Sequence, residues 1–301
     1  MDFIISIVSL LIGVLEEGLV YAIMALGVYI TYKILDFPDL SVDGTFPLGG
    51  AITAVLIIAG VPPMITLLIA FLLGAIAGIL TGLIHVKLKV RDLLSGIIMM
   101  TALYSLNLRI AGKANVAIFT KETIFDNAFL DRYIPLKLEK YMTVIILFVI
   151  VVIMKLILDL YLKTKSGYLL RAVGDNDALV TSLAKDKGLV KIVGLAIANA
   201  FVALAGCIYT QKSGFFEISS GTGTIVIGLA SVIIGTNVFK RVTLLKATTA
   251  VIVGSIIYKL CVAVAIAAGM AASDLKLITA VLFLVILVVS NERKRRVKAN
   301  D

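Results

Sequence analysis

Residues 161–188 read YLKTKSGYLLRAVGDNDALVTSLAKDKG, a polar stretch set between two strongly apolar ones. The flanks decide the fold class. Apolar runs fall at 4–33, 44–60, 62–84, 93–112, 141–162, 188–210, 222–239, 244–269 and 275–290. Many have the roughly 17–25 residues of a helix that crosses a bilayer. The chain is 60% hydrophobic and 16% charged, with a mean hydropathy of +1.09; a soluble domain is about a quarter charged. Only helices or closed barrels satisfy their backbone in lipid, and the alternation of a barrel is absent. The reading is an all-α polytopic membrane protein, one transmembrane domain over 1–301, with about eight to ten spans. The first run is either one tilted helix or a short segment plus a span. It lacks a basic start and carries Asp2, Glu16 and Glu17, so it does not read as a removable signal peptide. The run at 222–239 is short and follows SSGTGT, which predicts a broken or re-entrant helix near 221–238.

The net charge of +9 reads as membrane topology and not as a nucleic-acid footprint. Lys87, Lys89 and Arg91 fill one short loop. Lys163, Lys165, Arg171, Lys185, Lys187 and Lys191 fill the 163–191 segment. Lys240 and Arg241 fill a third, and the tail NERKRRVKAN is basic. All four land on one side if the spans alternate, and basic loops stay cytoplasmic. The C-terminus is therefore expected in the cytoplasm of a multi-pass cell-membrane protein. The 112–140 stretch falls outside, where Glu122, Asp126, Asp131 and Glu139 nearly balance its cations.

DFPDLSVDGTFPLGGA, residues 36–51, places Asp36, Asp39 and Asp43 beside a span. Pro38 and Pro47 are expected to stop regular helix. Asp43 or Thr45 is expected to cap the following helix, which makes the stretch an interfacial turn; the functional reading is that it lines the inner gate. Within 161–188, Gly174, Asp175 and Asn176 mark a turn. Asp175 is placed to N-cap a short helix from Asp177 to Ala184, with Ala178, Leu179 and Leu183 as its apolar stripe. Such a helix either lies on the membrane surface or docks in a groove of a cytoplasmic partner.

LLRAVGDNDALVTSLAKDKG resembles the coupling segment of permease subunits of ABC importers of the branched-chain amino-acid type. The likeness extends to GLVYAIMALGVYITYKILDFPDLSVDGTFPLGGAITAVL and to IANAFVALAGCIYTQKSGFFEISSGTGTIVIGLASVIIG. DLSVDGTFPLGGA looks more like a branch of uncharacterised substrate than like the leucine permeases. The resemblance implies a coupling segment at about 163–187, with Arg171, Ala172, Gly174, Asp175, Asn176, Asp177, Ala178, Leu179, Val180, Leu183 and Ala184 serving ATPase coupling. It also implies two copies of a cytoplasmic ATP-binding subunit, a second permease copy as a homodimer, and an extracytoplasmic binding protein or lipoprotein.

Polar side chains inside spans are functional candidates by default. Asp43, Thr45, Asn107, Asn199, Glu217, Gly221 and Gly223 are the candidates for the pathway or gate. Each has a plain alternative: the asparagines bond between helices, Glu217 binds Lys212, and the glycines serve close packing. There is no phosphate-loop lysine pattern, so ATP is used by a partner and no cofactor is expected here. His85 is the one histidine, and Cys207 and Cys261 sit in apolar runs, so no metal site is expected. The chain reads as a transport subunit and not an enzyme. The rival is an ion-coupled carrier, which favours a buried acid and paired broken helices. Only one broken helix and no buried acid are legible. A membrane scaffold would not need the glycine-rich segment.

Overall fold

The computed structural model describes residues 2–127, 136–175, 186–239, 245–270 and 274–298. Among them are ten α-helices: α1 (Asp2–Val28), α2 (Val42–Ile58), α3 (Pro63–Val86), α4 (Asp92–Ala111), α5 (Leu136–Tyr161), α6 (Lys165–Asp175), α7 (Lys187–Ser213), α8 (Thr224–Val238), α9 (Ala247–Ala267) and α10 (Leu275–Lys298). α1 runs on into a π-helical turn, Tyr29–Ile34, so the first apolar run is one continuous helix. Seven helical segments are long and apolar enough to cross a membrane, one of them, Ile218–Val238, only when the 3-10 turn before α8 is counted with it; Val42–Ile58 and Leu277–Val288 are shorter apolar helices. The protein is an all-α polytopic membrane protein.

α7 is the central helix, packed on α1, α2 and α3. The α3–α7 contact is close because Gly74, Gly78 and Gly82 present a row without side chains; a Cβ on Gly78 would overlap the Leu195 backbone. Small residues four apart let two helix backbones approach in lipid, where no hydrophobic effect drives association. The outer faces of α3 and α5 stay apolar and exposed, as at Leu68, Leu72, Phe148 and Leu160. Lipid is the medium that covers such faces.

Two short strands, β1 (Asn115–Ala117) and β2 (Phe215–Glu217), pair antiparallel and close one end of the bundle. Val116, Ile118 and Phe216 bury there against Ala51, Ala54 and Ile57 of α2. The ribbon was not legible in the sequence, since its strands lie 100 positions apart and are three residues each. At the other end α6 lies after α5. The described basic residues Lys87, Lys163, Lys165 and Arg171 all sit at this second end, as helix alternation requires.

Candidate translocation site

The connector 35–41 leaves the π-helical turn with Asp36 in the left-handed region, φ 51°. Asp39 then turns back on itself, accepting from Ser41 N at 2.9 Å. Its other oxygen accepts from Asn199 Nδ2 of α7 at 2.8 Å. Ser41 Oγ donates to Asn199 Oδ1 at 3.2 Å, and Asn199 Nδ2 also reaches Leu195 O. Asp39, Ser41 and Asn199 are all fully buried. Burial pushes the Asp39 carboxyl above the ordinary carboxylate range, against the opposing pull of its bonds to Ser41 and Asn199. Asn199 thus ties the connector to the central helix. An acid buried away from water corrects the expectation that none was present.

α2 starts at Val42 with Ser41 as its N-cap, and no side chain caps it. Asp43 does not cap its own helix; it caps α8. Its carboxylate accepts from Gly223 N at 2.9 Å and from Ile225 N at 2.8 Å. The Thr224 hydroxyl donates to it at 3.0 Å. Thr45 is buried and donates back to Ser41 O, so it does not cap either. Asp43 also sits in the first turn of α2, so one carboxylate faces the positive ends of two helices. Gly223 has φ 85°, which a residue with a Cβ adopts only at a cost.

Pro47 lies inside α2 and does not end it. Proline removes the bond that would run to Asp43 O four residues back. Gly221 packs there instead: a Cβ on it would overlap Asp43 O and the Pro47 ring. Asn107 Nδ2 of α4 donates to Gly44 O at 3.0 Å, and Gly44 packs on Met100 and Leu103. These partners lie roughly 12–22 Å along α4 at 1.5 Å per residue, so the junction is deep. From that level α2 runs to the β-ribbon end and α8 runs to the end where Lys246 and Thr248 bind Asp159 of α5. At 17 and 15 residues, the two helices are about 25 and 22 Å long, short of a roughly 30 Å hydrocarbon core. The expected broken helix near 221–238 therefore has a partner, α2, that the sequence did not reveal.

Two cavities share Thr222 beside the Asp43 junction. One of about 370 Å³ is lined by Asp43, Gly44, Pro47, Met100, Tyr104 and Thr222. The other, about 670 Å³, includes Thr222, Gly223, Thr224 and Glu217 in its wall. Glu217 is paired with Ser219. Lys212 binds Glu16 at 3.2 Å and not Glu217. Of the pathway candidates, Asp43, Asn107, Gly221 and Gly223 come together; Asn199 belongs to the Asp39 cluster, Thr45 to the α2 backbone, and Glu217 to the larger cavity. Gln211, one position past the apolar run that ends at 210, is buried, accepts from Ile124 N, and donates to Thr66 Oγ1.

At the basic end, Arg171, Ala172, Gly174 and Asp175 lie on α6, which runs through the turn expected at Gly174. Gly174 abuts the π-helical turn so closely that a Cβ would overlap Ile34 O. Leu170 and Leu35 meet over Gly194 of α7. Asn176, Asp177, Ala178, Leu179, Val180, Leu183 and Ala184 lie outside the described residues. Asp186, read only as the end of that segment, N-caps α7 by accepting from Gly188 N and Leu189 N. No cluster of potential metal ligands occurs among the described residues.

Comparison with known proteins converges on one family. The tyrosine transport system permease protein of Clostridioides difficile is 44% identical over 93% of this chain and 91% of its own. An uncharacterised protein of Rickettsia prowazekii is 32% identical over 93% and 97%. The ribose import permease protein of Haemophilus influenzae is 23% identical over 75% and 68%. No solved structure matches. The family described as branched-chain amino acid transport system / permease component matches residues 10–290, and the chain belongs to it.

Proposed function

We propose that this chain is the permease subunit of an ATP-driven importer for an amino acid or similar small polar solute. Family membership and the tyrosine transport permease among its relatives support the solute class, and tyrosine is the first candidate. Residues 1–301 act as one permease domain with a coupling segment at about 163–187. Two cytoplasmic ATPase subunits, a second permease copy and an extracytoplasmic binding protein complete the assembly. In this reading the basic end faces the cytoplasm, with the C-terminus on that side.

One observation carries the mechanism. α6 bears on the π-helical turn at Ile34, and that turn leads through the connector to Asp39, Ser41 and Asp43. A push on α6 from the closing ATPases reaches the connector, moves the start of α2, and breaks or remakes the Asp43 bonds to α8. The Asp43 junction is then the gate between the two cavities.

The carrier reading gains from the same geometry, since paired short helices meeting near buried acids are a carrier's hallmark. Affinity purification of the tagged protein in mild detergent, with mass spectrometry of its companions and uptake by vesicles holding the purified assembly, separates the two. We expect an ATPase to co-purify, to be lost from Leu179→Asp, and tyrosine uptake to need ATP. Uptake driven by a proton or sodium gradient, with no ATPase present, would sink the importer reading.

A further inference from the structure

Resting on the amino-acid importer reading, we propose that the cavity of about 670 Å³ is a binding site for a zwitterionic amino acid with an aromatic side chain. Its volume falls in the roughly 300–1,000 Å³ range of small-molecule sites. Two ion pairs border it. Lys259 Nζ of α9 binds Glu17 of α1 at 2.9 Å, and Lys212 binds Glu16. The Lys259 side chain is 11% exposed and that of Glu17 is 50% exposed. Holding such charges among membrane helices is costly, and the cost marks functional sites.

Lys259 Nζ also stands 3.9 Å above the centre of the Tyr21 ring, an attraction that keeps the ammonium over the aromatic face. Tyr21 in turn stacks on Phe46, 5.9 Å between centres, and meets Tyr209 at 6.1 Å. Tyr21, Tyr209 and Tyr258 give the cavity an aromatic wall. An α-amino acid carries one positive and one negative group a few bonds apart. It can enter the Glu17–Lys259 pair by exchange: its ammonium takes Glu17, its carboxylate takes Lys259, and no net charge is moved into the site. Its ring then lies along Tyr209, which is half-buried, while Tyr21 and Tyr258 are buried. Gly223 and Thr224 of the Asp43 junction form part of the same wall, so the occupant sits directly on the gate.

The first arm of the test leaves the ion pair intact. In the assembled transporter with Cys261→Ser, Ala263 in the cavity wall is replaced, Ala263→Cys, and the rate of labelling by a small maleimide is followed. Cys207 is fully buried and stays silent. Tyrosine is expected to slow labelling, whereas tyramine, which lacks the carboxylate, and 3-(4-hydroxyphenyl)propionate, which lacks the ammonium, are not. Adding Lys259→Gln should weaken protection about tenfold or more, the loss of one charged hydrogen bond. Equal protection by all three compounds, or none by tyrosine in a preparation that takes up tyrosine on ATP, overturns the site and leaves the importer reading standing. Absence of ATP-driven uptake of any amino acid overturns the reading beneath it.

Discussion

Removing the Asp43 carboxylate tests the cross-helix cap directly. Asp43→Ala takes the acceptor from Gly223 N, Ile225 N and the Thr224 hydroxyl. The hydroxyl keeps Gly221 O at 3.0 Å, so two backbone N–H groups are left without their partner. Each orphaned buried donor costs about 1–3 kcal/mol. Relief from holding a charge away from water offsets part of that, which leaves a net loss of about 2–4 kcal/mol. For a chain of this size that is a fall in Tm of roughly 4–8 °C, at about 2 °C per kcal/mol. Asp43→Asn keeps one acceptor oxygen and the shape, and should fall by about half as much. The chain has no tryptophan, so unfolding is best followed with a thiol-reactive dye on buried Cys207 in a Cys261→Ser background. Uptake should drop in both variants, because an α8 freed from α2 no longer closes the path. An Asp43→Ala protein with unchanged Tm and unchanged uptake would refute both the cap and the gate.

Asn199→Asp would place a second carboxylate on Asp39, where the amide now donates at 2.8 Å; like charges there should destabilise the protein at neutral pH, and lowering the pH should restore part of the loss. The same dye measurement at two pH values checks it. Gly78→Leu drives a side chain into the Leu195 backbone and should abolish a monodisperse peak in size-exclusion chromatography, as overpacking at a close helix crossing has no room to relax. Asp186→Ala removes the α7 cap and should cost about 1 kcal/mol, a fall of roughly 2 °C, with uptake kept. Gly174→Ala should push α6 off Ile34 and, in protein that still runs as a monodisperse peak, uncouple ATP hydrolysis from uptake, measured side by side in vesicles; coupling equal to the parent would remove α6 from the force path.

Much of the fold was legible because its cause is local. A run of apolar residues of bilayer length has one cheap backbone solution, so nine apolar runs became helices at nearly the same bounds, and the described basic residues Lys87, Lys163, Lys165 and Arg171 came to one end as alternation demands. Local rules misled where tertiary contacts took over. Pro47 reads as a breaker, yet α2 runs through it, with Gly221 packed against the Pro47 ring and Asp43 O. Asp43 reads as a cap for the helix it begins, but its partners lie 180–182 positions away. Asp39 reads as part of an interfacial turn, but it is buried and held by Asn199, 160 positions on. The GAIAGILTG spacing of Gly74, Gly78 and Gly82 was a local signal for the α3–α7 crossing that went unread.

By itself, then, the sequence determined that the chain is a bundle of membrane helices with a charged end, because hydropathy and loop charge act residue by residue. Only the tertiary structure decided that two short helices meet at one carboxylate, that a second carboxylate is buried beside the central helix, and that two cavities abut the junction. Those features arise from the pairing of distant segments, and no window along the chain contains both halves of any of them.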